Sequence, residues 1–75
     1  MMTKISEIGK SIQKVRQERK LTQEQLAIKA GIPYTTLAKI ESGMVNNPRM
    51  KTLQKIALAL KISIDELVKN VKSWS

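Results

Sequence analysis

The stretch TQEQLAIKAGIPYTTLAKIES, residues 22–42, decides the fold. It opens on Thr22-Gln23-Glu24-Gln25, the pattern of a capping box. The threonine hydroxyl can accept from a free backbone N–H, and the glutamine three residues on can reach back. A short helix then turns Leu26, Ala27 and Ala30 inward and ends at Gly31. Glycine suits that place because helices commonly end on a residue at positive φ. Only Ile32 and Pro33 separate this helix from the next. Proline has no N–H to lose at a helix start, where that donor is unpaired anyway. The following helix runs from about Tyr34 to Glu41, buries Leu37 and Ile40, and stops at Ser42-Gly43. Two short helices joined by so tight a turn must cross steeply. Ala27 is small where they press closest, and the outer face of the second helix is left free.

The pattern stays helical on both sides. Upstream, Ile5, Ile8, Ile12 and Val15 recur at spacings of three and four, one apolar stripe on a first helix that fades near Lys20. Downstream, Met44 to Pro48 is an asparagine-rich loop closed by proline. A fourth helix from about Met50 to Leu60 turns Leu53, Ile56, Ala57 and Leu60 inward. Ser63-Ile64-Asp65-Glu66 is a second capping box, opening a fifth helix with Ile64, Leu67, Val68 and Val71 inside. The expectation is an all-α domain of five helices over residues 1–75, with no strand and no linker.

Composition narrows the function. The chain has 75 residues, enough for one domain. A domain of that size buries only about 60% of its unfolded surface, so its core is thin. It contains neither cysteine nor histidine, which excludes disulfides, thiolate zinc sites and histidine acid–base catalysis. No nucleophile–base pair, carboxylate cluster or phosphate-cradling glycine loop is present, so a non-enzyme without metal or cofactor is expected. Fourteen Lys and Arg against six Asp and Glu give a net charge of +8, which calls for a polyanionic partner. No apolar run approaches the roughly 20 residues that span a bilayer. Met1 to Lys10 lacks the apolar region of a signal peptide. A cytoplasmic protein without a membrane partner is therefore expected. Tyr34 and Trp74 are the only aromatic residues. Single-strand and RNA readers usually stack bases on several rings, so double-stranded DNA is the better polyanion.

At this level of detail the chain resembles the Cro and phage-repressor (XRE-like) helix-turn-helix proteins, from about Ile8 to Leu67. The resemblance rests on Arg16, Leu21 to Ala27, Ala30-Gly31-Ile32, Leu37 to Gly43, Pro48, Leu53, Ala57 to Leu60, and Ile64 to Leu67. It implies a lambda-repressor-like domain whose third helix enters the major groove, acting as a transcriptional regulator. By that resemblance Tyr34, Thr35 and Lys39 read bases. Lys39 would donate to guanine O6 or N7, and Thr35 would bond several bases or touch a thymine methyl. Tyr34 would contact a thymine methyl or a phosphate. Gln23, at the start of the second helix, would bind the DNA backbone, as would Thr36, Asn46, Asn47 and Arg49. The same residues also suit a plain solvated helix face and ordinary turn chemistry. Arg16 and Glu41 match positions that form a partly buried ion pair in relatives, tying the first helix to the end of the third. Pro33 departs from the family, which often places a serine or threonine cap there, and leaves the first residue of the third helix open by one or two positions.

Ile64, Leu67, Val71 and Trp74 fall at steps of three and four. Ile64 and Leu67 are expected to pack on the first helix. Val71 and Trp74, with Leu58 and Ile62, are candidates for a homodimer contact. A dimer is expected on functional grounds, since one such domain reads too few base pairs to find a site in a genome. Its operator would then be roughly palindromic. The alternative is an antitoxin-type module that binds a protein partner, a toxin or another regulator, as well as its own promoter.

Overall fold

The computed structural model describes the backbone of residues 3–45 and 47–68, and the side chains of residues 8–45 and 47–68. Among them the chain forms α1 (Thr3–Glu18), α2 (Gln23–Ala30), α3 (Tyr34–Ser42), α4 (Met50–Leu60) and α5 (Ile64–Val68). No strand occurs among the described residues. Asn46, Val71, Trp74 and the side chain of Ile5, all singled out above, lie outside the described residues.

The helix boundaries follow from local chemistry. Thr22 caps α2: its hydroxyl accepts from the Gln25 N–H at 3.1 Å, and the Gln25 side chain accepts from the Thr22 N–H at 2.9 Å. Gly31 ends α2 at φ +71°, with its own N–H and that of Ile32 returned to the last turn, on Ile28 and Ala27. Pro33 stands one position before the helix. It is the N-cap of α3, extended at φ −63° and ψ 143°, and makes no side-chain cap bond. Tyr34 is therefore the first helical residue. Lys20 and Lys61 terminate α1 and α4 at positive φ, 58° and 62°, without being glycine. The Ser63 hydroxyl accepts from the Glu66 N–H at 3.0 Å and caps α5.

One core holds the helices together. Ile8 and Ile12 from α1, Leu26, Ala27 and Ala30 from α2, and Leu37 and Ile40 from α3 meet Leu53, Ile56, Ala57 and Leu60 of α4 and Leu67 of α5. Apolar burial of this kind stabilises by roughly 25 cal/mol per Å² and carries the fold, since no cross-link assists it. α1 packs chiefly on α3, and α2 on α4 and α3. Ile64 lies partly buried at the edge of the core. α5 also touches α1, where the buried Ser11 hydroxyl donates to the Leu67 carbonyl.

A glycine in α1 sets how closely α3 can approach. Gly9 is buried, and a Cβ there would meet the carbonyl oxygens of Ile40 and Glu41. Its missing side chain lets the first helix lie directly on the C-terminal turn of α3.

Candidate nucleic-acid interface

At 100° per residue, Leu37, Ile40 and Glu41 share one face of α3, and all three are buried. Thr35 and Lys39 are four residues apart, about 40° on the helix, and lie opposite that face. Both are exposed. The core thus fixes α3 by one side and presents a hydroxyl and an ammonium from the other. Ser42, nearly in line with Thr35, is turned back instead: its hydroxyl donates to the Lys39 carbonyl at 3.0 Å and accepts from the Met44 N–H at 3.2 Å.

Polar groups flank α3 on both sides. On one, Thr36 lines a recess with Asn47, Arg49 and Thr52 over an apolar floor of Ile40, Val45 and Pro48. Three residues singled out in the sequence, Thr36, Asn47 and Arg49, are therefore neighbours, although they come from α3 and the following loop. On the other side, Gln23 and Tyr34 line a second recess with Arg16, Thr22 and Glu24. Tyr34 is about half exposed.

Beneath this second recess runs a network that ties α1, α2 and α3 together. The Arg16 guanidinium donates from Nε to Glu41 Oε2 at 2.8 Å and from Nη2 to Oε1 at 3.1 Å, a two-pronged ion pair. Its Nη1 donates to the Leu21 carbonyl at 2.7 Å. Both side chains are buried, at 10% and 3% exposure, so the pair is more enclosed than the partly buried bridge anticipated from sequence. Gln23 Nε2 donates to Glu41 Oε1 at 2.9 Å, and the Tyr34 hydroxyl donates to Gln23 Oε1 at 3.2 Å. Gln23 is thus committed to the protein as well as facing the recess, and it keeps a second N–H for an external acceptor. No buried side-chain nitrogen or oxygen among the described residues lacks a partner.

No sequence pattern signals the Gln23 link to Glu41 and Tyr34. It depends on how steeply α2 crosses α3, which no local pattern states. The contacts of Gly9, Ser11 and Arg19 carry no sequence signal either. The Arg19 guanidinium donates to the Leu60 carbonyl at 3.0 Å, closing the end of α4 from the turn that follows α1. Leu58 stands free of the core at 79% exposure, whereas Ile62 packs against the core's edge. Among the described residues no cluster of acidic side chains could hold a metal, and no helix is long and apolar enough to cross a membrane.

Comparison with known proteins gives a consistent result. A family model described as helix-turn-helix matches residues 12–67. The immunity repressor protein of Bacillus phage phi105 is 44% identical over 61 residues, 81% of this chain and 42% of that protein. The uncharacterised HTH-type transcriptional regulator RghRB of Bacillus subtilis is 38% identical over 64 residues, 85% of this chain and 46% of that protein. The chain thus spans less than half the length of these relatives. Among solved structures, that of SinR, the master regulator for biofilm formation, in complex with DNA, superposes with a TM-score of 0.78 at 33% identity. The match covers 81% of this chain and 97% of that one.

Proposed function

The chain belongs to the helix-turn-helix family, of the XRE-like phage-repressor type, and from that membership and the exposed face of α3 we propose that it is a sequence-specific duplex DNA binder that regulates transcription. The observation that carries this reading is the placement of Thr35 and Lys39 opposite the buried face of α3, flanked on each side by groups suited to phosphate. In this reading α3 enters the major groove, about 12 Å wide. Lys39 donates to guanine, and Thr35 bonds a base or touches a thymine methyl. Gln23, through its second amide N–H, holds one phosphate strand, and Thr36, Asn47 and Arg49 hold the other. The net charge of +8 adds the sequence-independent attraction.

The regulator acts as a homodimer on a roughly palindromic operator, with half-sites about one helical turn apart. Among the described residues, Leu58, exposed on α4, is the candidate for the subunit contact. A binding selection on randomised duplex DNA, followed by salt titration of the winning site, tests the reading. A palindrome is expected, with preference lost at defined positions in Thr35→Ala and Lys39→Ala. Salt-sensitive binding with no enriched sequence would overturn sequence-specific regulation and leave only a charged surface.

A further inference from the structure

The bonds around Gln23 have a direction, and that direction reaches the surface. Arg16 can only donate, and the Glu41 carboxylate opposite it accepts. Glu41 Oε1 therefore takes a donor from Gln23, which must be the amide nitrogen, Nε2. With its nitrogen held inward, the Gln23 amide presents its oxygen to Tyr34. An amide oxygen has no proton to give, so the Tyr34 hydroxyl spends its single proton on Gln23. What remains on the Tyr34 oxygen is acceptor capacity alone.

We infer that Tyr34 reads a donor in the major groove, the exocyclic amino group of an adenine (N6) or a cytosine (N4), because the Arg16–Glu41–Gln23 chain leaves its hydroxyl able only to accept. The inference rests on the DNA-binding reading and makes that reading more specific. Guanine O6 and N7, thymine O4 and every phosphate oxygen are acceptors, and the hydroxyl can meet them only by giving up its bond to Gln23. This differs from the phosphate or thymine-methyl contact that the family resemblance implies for Tyr34. Gln23 acts here as a positioning residue: it sets the polarity of a base contact that it does not itself make.

The test uses the full chain and the duplex selection described above. The wild-type protein should prefer one base pair at one position of each half-site, and Tyr34→Phe should lose that preference while retaining the others. Replacing that pair's adenine by purine, or its cytosine by 2-pyrimidinone, removes the amino group. Wild-type affinity should fall about three- to tenfold, the scale of one hydrogen bond, and Tyr34→Phe should show no such fall. Gln23→Ala frees the hydroxyl to donate, so the loss on removing the amino group should shrink in that variant. Two results would overturn the inference: base preferences unchanged in Tyr34→Phe, or an equal loss in wild type and Tyr34→Phe on removal of the amino group. Absence of any enriched site in the wild type would instead overturn the DNA-binding reading beneath it.

Discussion

The residue on which most depends is Glu41. It sits on the buried side of α3, accepts both prongs of Arg16, and orients Gln23. Removing the carboxylate leaves a guanidinium that is only 10% exposed without its counter-charge. Breaking a buried pair in this way typically costs about 3–5 kcal/mol, far more than the pair's net contribution against an apolar replacement. Glu41→Ala should therefore lower the melting temperature by well over 10 °C, at about 4–8 °C per kcal/mol for a domain this small. Lys55→Ala, on the exposed side of α4, should stay within about 0.5 kcal/mol of the parent. Equal shifts in the two variants, measured by calorimetry, would deny the pair a structural role. The pairing of Arg16 with Glu41 was legible in the sequence only through the family resemblance, since nothing local links residues 25 apart. The amide orientation of Gln23 was not legible at all, because it follows from three helices meeting.

Helix starts and stops were the most legible features, for they are written in a few adjacent residues. Thr22 and Gln25 form the anticipated capping box, and Gly31 takes the anticipated left-handed conformation. Pro33 fell one place earlier than a first-turn proline, which fixed Tyr34 at the head of α3. Two positions carry consequences that run against propensity. In an exposed helix interior, glycine to alanine gains about 1 kcal/mol. At Gly9 the new Cβ would press on the Ile40 and Glu41 carbonyls, backbone atoms that cannot swing aside. Gly9→Ala should instead destabilise by about 1–3 kcal/mol, the usual cost of overpacking. It should also weaken DNA binding beyond its effect on folding, since α1 could yield only by displacing α3. A stabilised Gly9→Ala in a denaturant titration would show that the two helices separate freely. The second position is the end of α4. Lys61 holds φ at 62°, where a Cβ is strained, so Lys61→Gly should raise stability by about 0.5 kcal/mol. Gly31→Ala, strained at φ +71° but with no neighbour within 4 Å, should lower it by about 1 kcal/mol. Opposite signs from the two exchanges are the expected result of paired thermal melts.

At the scale of the whole molecule the proposed function raises how a helix-turn-helix domain finds a site. A single recognition helix distinguishes a handful of base pairs, and each is worth only about 1–3 kcal/mol of discrimination. A second copy on an adjacent half-site multiplies that selectivity without any new chemistry. The exposed Leu58 is not itself proof of a partner, because lone surface leucines are common. It gains weight from its place on α4, whose opposite face is sealed into the core through Leu53, Ile56, Ala57 and Leu60. Leu58→Asp puts a charge where the proposed subunit contact would be dry, yet touches nothing in the folded monomer's interior. Its stability should stay within about 0.5 kcal/mol of the parent. Sedimentation of the parent at micromolar concentration should show a dimer and that of Leu58→Asp a monomer. On DNA, the variant should bind an isolated half-site as tightly as the parent but lose the parent's advantage on the full palindrome. If the parent sediments as a monomer and binds half-site and palindrome alike, Leu58 is an ordinary surface residue. Selectivity must then come from elsewhere in the molecule.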